Sequence, residues 1–113
     1  MRRLALFIVP LLILPVALHA HHSTSLNFSD EINSIEGQIK SVRWVNPHCS
    51  FVLEVMNEAG VTEWLVELLA RIALEVGATV TVTGRVGYRP NSLYFEKAEL
   101  QDGRQLLDPG PIG

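Results

Sequence analysis

Between Thr79 and Arg89 the chain reads TVTVTGRVGYR, with Val80, Val82, Val86 and Tyr88 at alternate positions and Thr79, Thr81, Thr83 and Arg85 between them. A period of two sends successive side chains to opposite faces of a β-strand. The segment therefore has one apolar face to bury and one polar face to show water. A helix would scatter the same residues around its circumference. Gly84 interrupts the run where a bend or a close backbone approach is expected.

Neighbouring segments supply the sheet that this strand needs. Cys49–Met56 (CSFVLEVM) alternates with Cys49, Phe51, Leu53 and Val55 on one face. Asn57-Glu58-Ala59-Gly60 reads as a hairpin turn into Val61–Leu68, where Trp64, Val66 and Leu68 alternate. Upstream, Ile35–Val45 (IEGQIKSVRWV) changes phase between Ile39 and Val42, which together with Gly37 predicts a bent or bulged strand. Asn46-Pro47 ends it as a turn. Leu93–Leu100 forms a further strand after the Pro90-Asn91-Ser92 turn, and Asp102-Gly103 turns into a short Arg104–Leu107 extension. Leu65–Val76 carries a second pattern, since Leu68, Leu69, Ile72 and Val76 fit one face of a helix. We read a short helical connector over 69–76, closed by Gly77. The order of elements predicts an all-β fold, a small five-stranded OB-like barrel with that helical connector between strands three and four. A small open sandwich or a meander would carry similar signals.

Composition matters because 48% of the 113 residues are hydrophobic, and the excess is concentrated in Leu4–Leu18. This run follows Arg2-Arg3 and ends near Ala20, the pattern of a signal peptide over 1–20. Fifteen residues holding Pro10 and Pro15 fall short of the roughly 20 that span a bilayer, and an uncleaved anchor is the alternative. The expected organisation is a signal peptide over 1–20, an extended arm over 21–34, an OB-like domain over 35–107 and a loose tail over 108–113. The expected location is the bacterial periplasm, with membrane contact only through the signal peptide. Cys49 is the only cysteine, so no internal disulfide can form and the core must hold unaided. We read Cys49 as a small buried hydrophobe, and Trp44, Phe51 and Trp64 as core.

Charge excludes further classes. The net charge of −3 becomes −5 once Arg2 and Arg3 are removed, and the remaining basic residues are dispersed. Nucleic-acid binding, which needs clustered Lys and Arg, is not expected. Enzymatic activity is not expected either. Ser50, His48 and Asp102 could be assembled into a triad on paper, but no nucleophile elbow, Gly-rich phosphate loop or CxxC pair accompanies them.

The remaining chemistry lies with three histidines. Cleavage after Ala20 would make His21 the first residue, offering its α-amine and imidazole to one ion. His48, just past the Asn46-Pro47 turn, would complete a three-nitrogen set of the kind copper favours, with His22 assisting. The competing reading is a non-catalytic ligand- or protein-interaction barrel with structural histidines. Its partner surface would be Tyr88, Arg89 and Tyr94 around the Pro90-Asn91 turn.

These pieces form a known combination. The His21-His22-Ser23 start, Phe28, and the run from Gly37 to His48 ending in Trp44-Val45-Asn46-Pro47-His48 resemble the bacterial domain of unknown function 6152 family. Trp64, Glu67, Gly77–Gly84 and Asp102-Gly103-Arg104 fit the same pattern. The resemblance implies an exported small β-barrel of unassigned role, with histidine-bearing motifs at His21, His22 and His48. Two departures stand out. The segment between Glu67 and Gly77 is shorter than usual for the family, and Cys49 replaces a larger hydrophobic residue.

Overall fold

The computed structural model describes residues 27–109. The expected signal peptide, His21, His22 and the last four residues of the expected tail lie outside them. Six strands follow one another: β1 (Phe28–Arg43), β2 (Cys49–Asn57), β3 (Gly60–Leu68), β4 (Thr79–Gly87), β5 (Ser92–Leu100) and β6 (Gln105–Leu107). They form one sheet in the order β3-β2-β1-β4-β5-β6. A short parallel pairing of β3 with β5, from Leu65↔Ser92 to Glu67↔Tyr94, closes the first five strands into a ring. Every other pairing is antiparallel.

Closure depends on β1 serving two partners. Its residues from Phe28 to Gln38 pair with β4, and those from Gln38 to Arg43 pair with β2. The strand must bend sharply where it changes partner, and Gly37 sits there. A Cβ on Gly37 would run into the Glu54 carbonyl. The phase change foreseen between Ile39 and Val42 is a register shift between Ile39 and Ser41, which leaves Lys40 as the extra residue of a bulge. Gly84 likewise lies at a register shift against β5, where a Cβ would meet the Tyr94 carbonyl.

β1 begins seven residues upstream of Ile35, within the segment expected as an arm. Its polar composition conceals a strand held by backbone bonds to β4 and anchored by Phe28, which is buried against Gly87. The side chains of Ser34 and Thr83 also bond across the pair at 2.6 Å.

The interior is filled from every strand of the ring. Ile39, Phe51, Leu53, Val66, Val80, Val82, Leu93 and Phe95 are all but inaccessible. Phe51 meets Phe95 edge-on at 6.2 Å. Each such side chain contributes roughly 1.5–3 kcal/mol through burial, which is how a domain without disulfides holds together. Cys49 is buried, as expected, and Trp44 and Trp64 pack on the core while half-buried.

The helical connector is a correction. The described residues contain no helix, and 69–78 runs as bends and a turn. Burial there follows a period of two: Ile72 and Leu74 are buried, whereas Arg71, Ala73 and Glu75 are exposed. Leu69 and Val76, which a helix would have turned inward, are 42% and 62% exposed. Extended backbone lets Ile72 and Leu74 reach the core while the segment docks on β1 through Gly77 N–H to Ile39 C=O at 2.8 Å and Ile39 N–H to Ala78 C=O at 2.9 Å. Gly77, with φ of +95°, closes a turn rather than a helix.

Candidate functional site

The β1–β2 connection, residues 44–48, holds the sequence feature with the most chemistry. Strand pairing ends at Arg43↔Ser50 on one side and resumes at Cys49↔Leu68 on the other, so these five residues bridge the end of the sheet. The Asn46-Pro47 peptide is cis. On β2 the odd-numbered residues Cys49, Phe51 and Leu53 point inward, which puts Ser50 and Val52 on the outer face. His48 shares their parity and is exposed, and its imidazole has no hydrogen-bond partner among the described residues.

Behind this loop opens a cleft of about 400 Å³ lined by Trp44, Asn46, Cys49, Ala70 and Arg71. The loop supplies the indole and the amide. The start of β2 supplies the buried thiol, and the segment leaving β3 supplies Ala70 and Arg71. None of the five is acidic. Arg71 is exposed and forms no ion pair among the described residues, where the salt bridges are Lys40–Glu63 and Arg104–Asp102. Asn46 and Arg71 were not foreseen as site residues. Arg71 was hidden because its segment read as a helix, which would have set it on a solvated face away from the Trp44 loop.

No group of three His, Cys, Asp or Glu side chains close enough to hold a metal occurs among the described residues. Of the three expected ligands only His48 is described. The position of the chain entry is nevertheless informative. The Asn27 carbonyl accepts the Tyr88 N–H at 2.9 Å, and Asn27 lines a small cleft that also includes Leu65 and Glu67. Glu67 faces Ser50 across the β2–β3 ladder, and Ser50 lies two residues after His48 in the chain. Asn27, the first of the described residues, therefore stands beside Leu65 and Glu67 of β3.

The three residues expected as a partner surface divide. Tyr88, 68% exposed, and Arg89, also exposed, stand in the β4–β5 loop. Tyr94 packs edge-on to Phe28 at 5.3 Å and lies under the Arg85 guanidinium at 5.2 Å. Burial pushes its phenol above the ordinary value, and the Asp108 carboxylate adds to the effect. Asp102, the third member of the paper triad, is held elsewhere. In the β5–β6 turn it accepts bonds from the Arg104 backbone N–H and Nε, which lower its carboxyl below the usual range.

No curated protein and no solved structure matches this chain. A family model does match, over residues 10–95, which is most of the chain and takes in both the His21-His22-Ser23 and the Trp44–His48 motifs. The chain belongs to the family of unknown function DUF6152.

Proposed function

We propose that the chain is an exported binding module of OB-type barrel architecture that holds a copper-type ion. The ligands would be the α-amine and imidazole of His21, newly terminal after cleavage behind Ala20, and the imidazole of His48, with His22 assisting. Support for the barrel comes from the strand order and from the parallel β3–β5 closure, which is how a five-stranded ring removes its edges. Support for export is the Arg2-Arg3, Leu4–Leu18, Ala20 sequence, the pattern of a signal peptide, and the periplasm is the compartment it would address.

One observation carries the metal reading. Asn27 lies in one small cleft with Glu67, which faces Ser50, and His21 precedes Asn27 by six residue steps. Six extended residues reach about 20 Å. From Glu67 the path crosses one ladder spacing of about 5 Å to Ser50, and His48 lies two residues before Ser50, roughly 7 Å further. The terminal histidine is thus within range of His48, and amine and imidazole nitrogens suit Cu(II) in tetragonal geometry.

The test is calorimetric titration of the processed protein with Cu(II), after intact mass has established that His21 is terminal. One saturable site is expected, abolished by a start methionine ahead of His21 and strongly weakened by His48→Ala. Absence of saturable binding, or indifference to His48→Ala, overturns the reading. The second reading, a partner-binding barrel, has one observation in its favour: Tyr88 and Arg89 are exposed together in one loop. It would be favoured if copper failed to bind and Tyr88→Ala abolished co-purification of a specific periplasmic partner.

A further inference from the structure

The cleft behind the β1–β2 loop is not used by the copper reading, and its chemistry differs from the rest of the surface. The chain carries 12 acidic residues against nine basic ones, yet no carboxylate lines this cleft. The one charged group that lines it is the Arg71 guanidinium, which has no ion-pair partner among the described residues. The Trp44 indole N–H, a donor only, and the Asn46 side-chain amide are also without hydrogen-bond partners among the described residues. The other lining is apolar: the half-buried Trp44 ring, Ala70 and the buried Cys49. Residues with donor side chains and residues offering aromatic and aliphatic contact thus line the same cleft. At about 400 Å³ the space falls at the small end of the range that takes small molecules, roughly 300–1,000 Å³.

We propose that this cleft binds a small organic carboxylate, with the carboxylate paired to Arg71 and the apolar or aromatic body against Trp44. The planar guanidinium fork matches a carboxylate through two parallel N–H bonds, a match that an ammonium cannot make. Trp44 supplies contact area, and Asn46 adds a further donor to the lining. The metal is not needed for this binding, so the proposal stands apart from the copper reading.

Benzoate is the probe, with benzamide as its neutral counterpart of similar shape. Isotope-labelled protein is titrated in the presence of a chelator, so that no metal contributes, and the Trp44 indole N–H resonance is followed. The expected result is a saturable shift with benzoate and at least about tenfold weaker binding of benzamide, as loss of a charge-assisted pair implies. Arg71→Gln should weaken benzoate by a similar factor and leave benzamide unchanged, and Arg71→Lys should fall between. Arg71 is exposed, so these variants should fold. Failure of benzoate to saturate, equal binding of benzamide, or wild-type benzoate binding by Arg71→Gln would each overturn the proposal.

Discussion

Strand β2 has a cleft at each end, and the two are nearly equal in size but opposite in chemistry. At its start lies the cleft of Trp44, Asn46 and Arg71, about 400 Å³, without a carboxylate. Toward its end, beside the β2–β3 hairpin, a cleft of about 380 Å³ is lined by Glu36, Gln38, Glu54, Met56 and Val61 among others, without a cation. Volume does not distinguish them. The loop end collects donors that lack partners, whereas the hairpin end exposes carboxylates and apolar side chains, with Met56 78% and Val61 56% accessible. In an acidic chain a carboxylate on the surface is ordinary. A cleft whose lining holds an Arg and no carboxylate is the feature that asks for a ligand.

Both ends rest on one interior, and the largest expected effect tests that dependence. Phe51 is 1% exposed and meets Phe95 edge-on. Phe51→Ala should destabilise the domain by about 3–5 kcal/mol, through lost transfer energy and a residual cavity. Chemical denaturation measures it, and the variant should lose order at both clefts together. A cost below about 1 kcal/mol would mean that the two ends do not share a core in the way the packing implies.

A smaller effect should separate the ends. Gly37→Ala forces a methyl group against the Glu54 carbonyl where β1 changes partner, a clash with backbone that no side-chain rotation relieves. Overpacking of this kind costs about 1–3 kcal/mol. Amide shifts should cluster around Glu36, Gln38, Glu54 and Met56, with Trp44 and Arg71 unmoved. Comparable shifts at both ends would show one coupled unit and remove the basis for contrasting them.

How far these features could be read from the sequence follows from what each depends on. The alternation of β2, β3 and the start of β4 named their inward residues because burial on one face imposes a period of two, whereas Tyr88, read on the same face as Val80 and Val82, lies past the end of β4 and is exposed. The bulge after Ile39 was visible as a break in that period, and the close approach at Gly84 as a glycine inside an otherwise regular strand. The start of β1 was not, since residues such as Asn33 and Ser34 are held by backbone pairing that leaves no hydrophobic pattern. The 69–76 segment was misread because Leu68, Leu69, Ile72 and Val76 happen to satisfy helical spacing. Only its docking on Ile39 decides for the extended form. That error concealed Arg71 and with it the cleft. His48 was legible as a candidate ligand from the Asn-Pro-His turn, but its unobstructed outward position depends on β2 beginning with an inward Cys49.

Surface substitutions should leave stability nearly untouched at either end while differing in binding. Met56→Ala and Arg71→Gln both alter exposed side chains, and each should change unfolding free energy by no more than about 0.5 kcal/mol. Only Arg71→Gln should weaken benzoate. If Met56→Ala weakens it as much, the ligand contacts the hairpin end and the assignment of the two clefts must be exchanged.

The smallest effect is alkaline, and it reads the two halves of the ring separately. In the loop half, Tyr94 pairs with Glu67, and burial raises its phenol above the ordinary value near 10. In the hairpin half, Lys40 donates to Glu63, and this hydrogen bond and the carboxylate's charge raise its ammonium above 10.5. Both groups are protonated more readily in the folded chain than in the unfolded one. The stability each contributes is therefore complete below its unfolded value and is lost as pH rises through the folded one. The denaturation midpoint should fall with pH from about 10 upward. Tyr94→Phe should flatten the earlier part of that decline, and Lys40→Met should flatten the later part, because the decline each causes begins at the unfolded value, which is lower for the phenol than for the ammonium. Lys40 and Glu63 are both half exposed, so the Lys40 contribution should fade in high salt, whereas the burial of Tyr94 is insensitive to salt. A midpoint that is flat to pH 11 in the unmodified chain would show that neither half senses these protons.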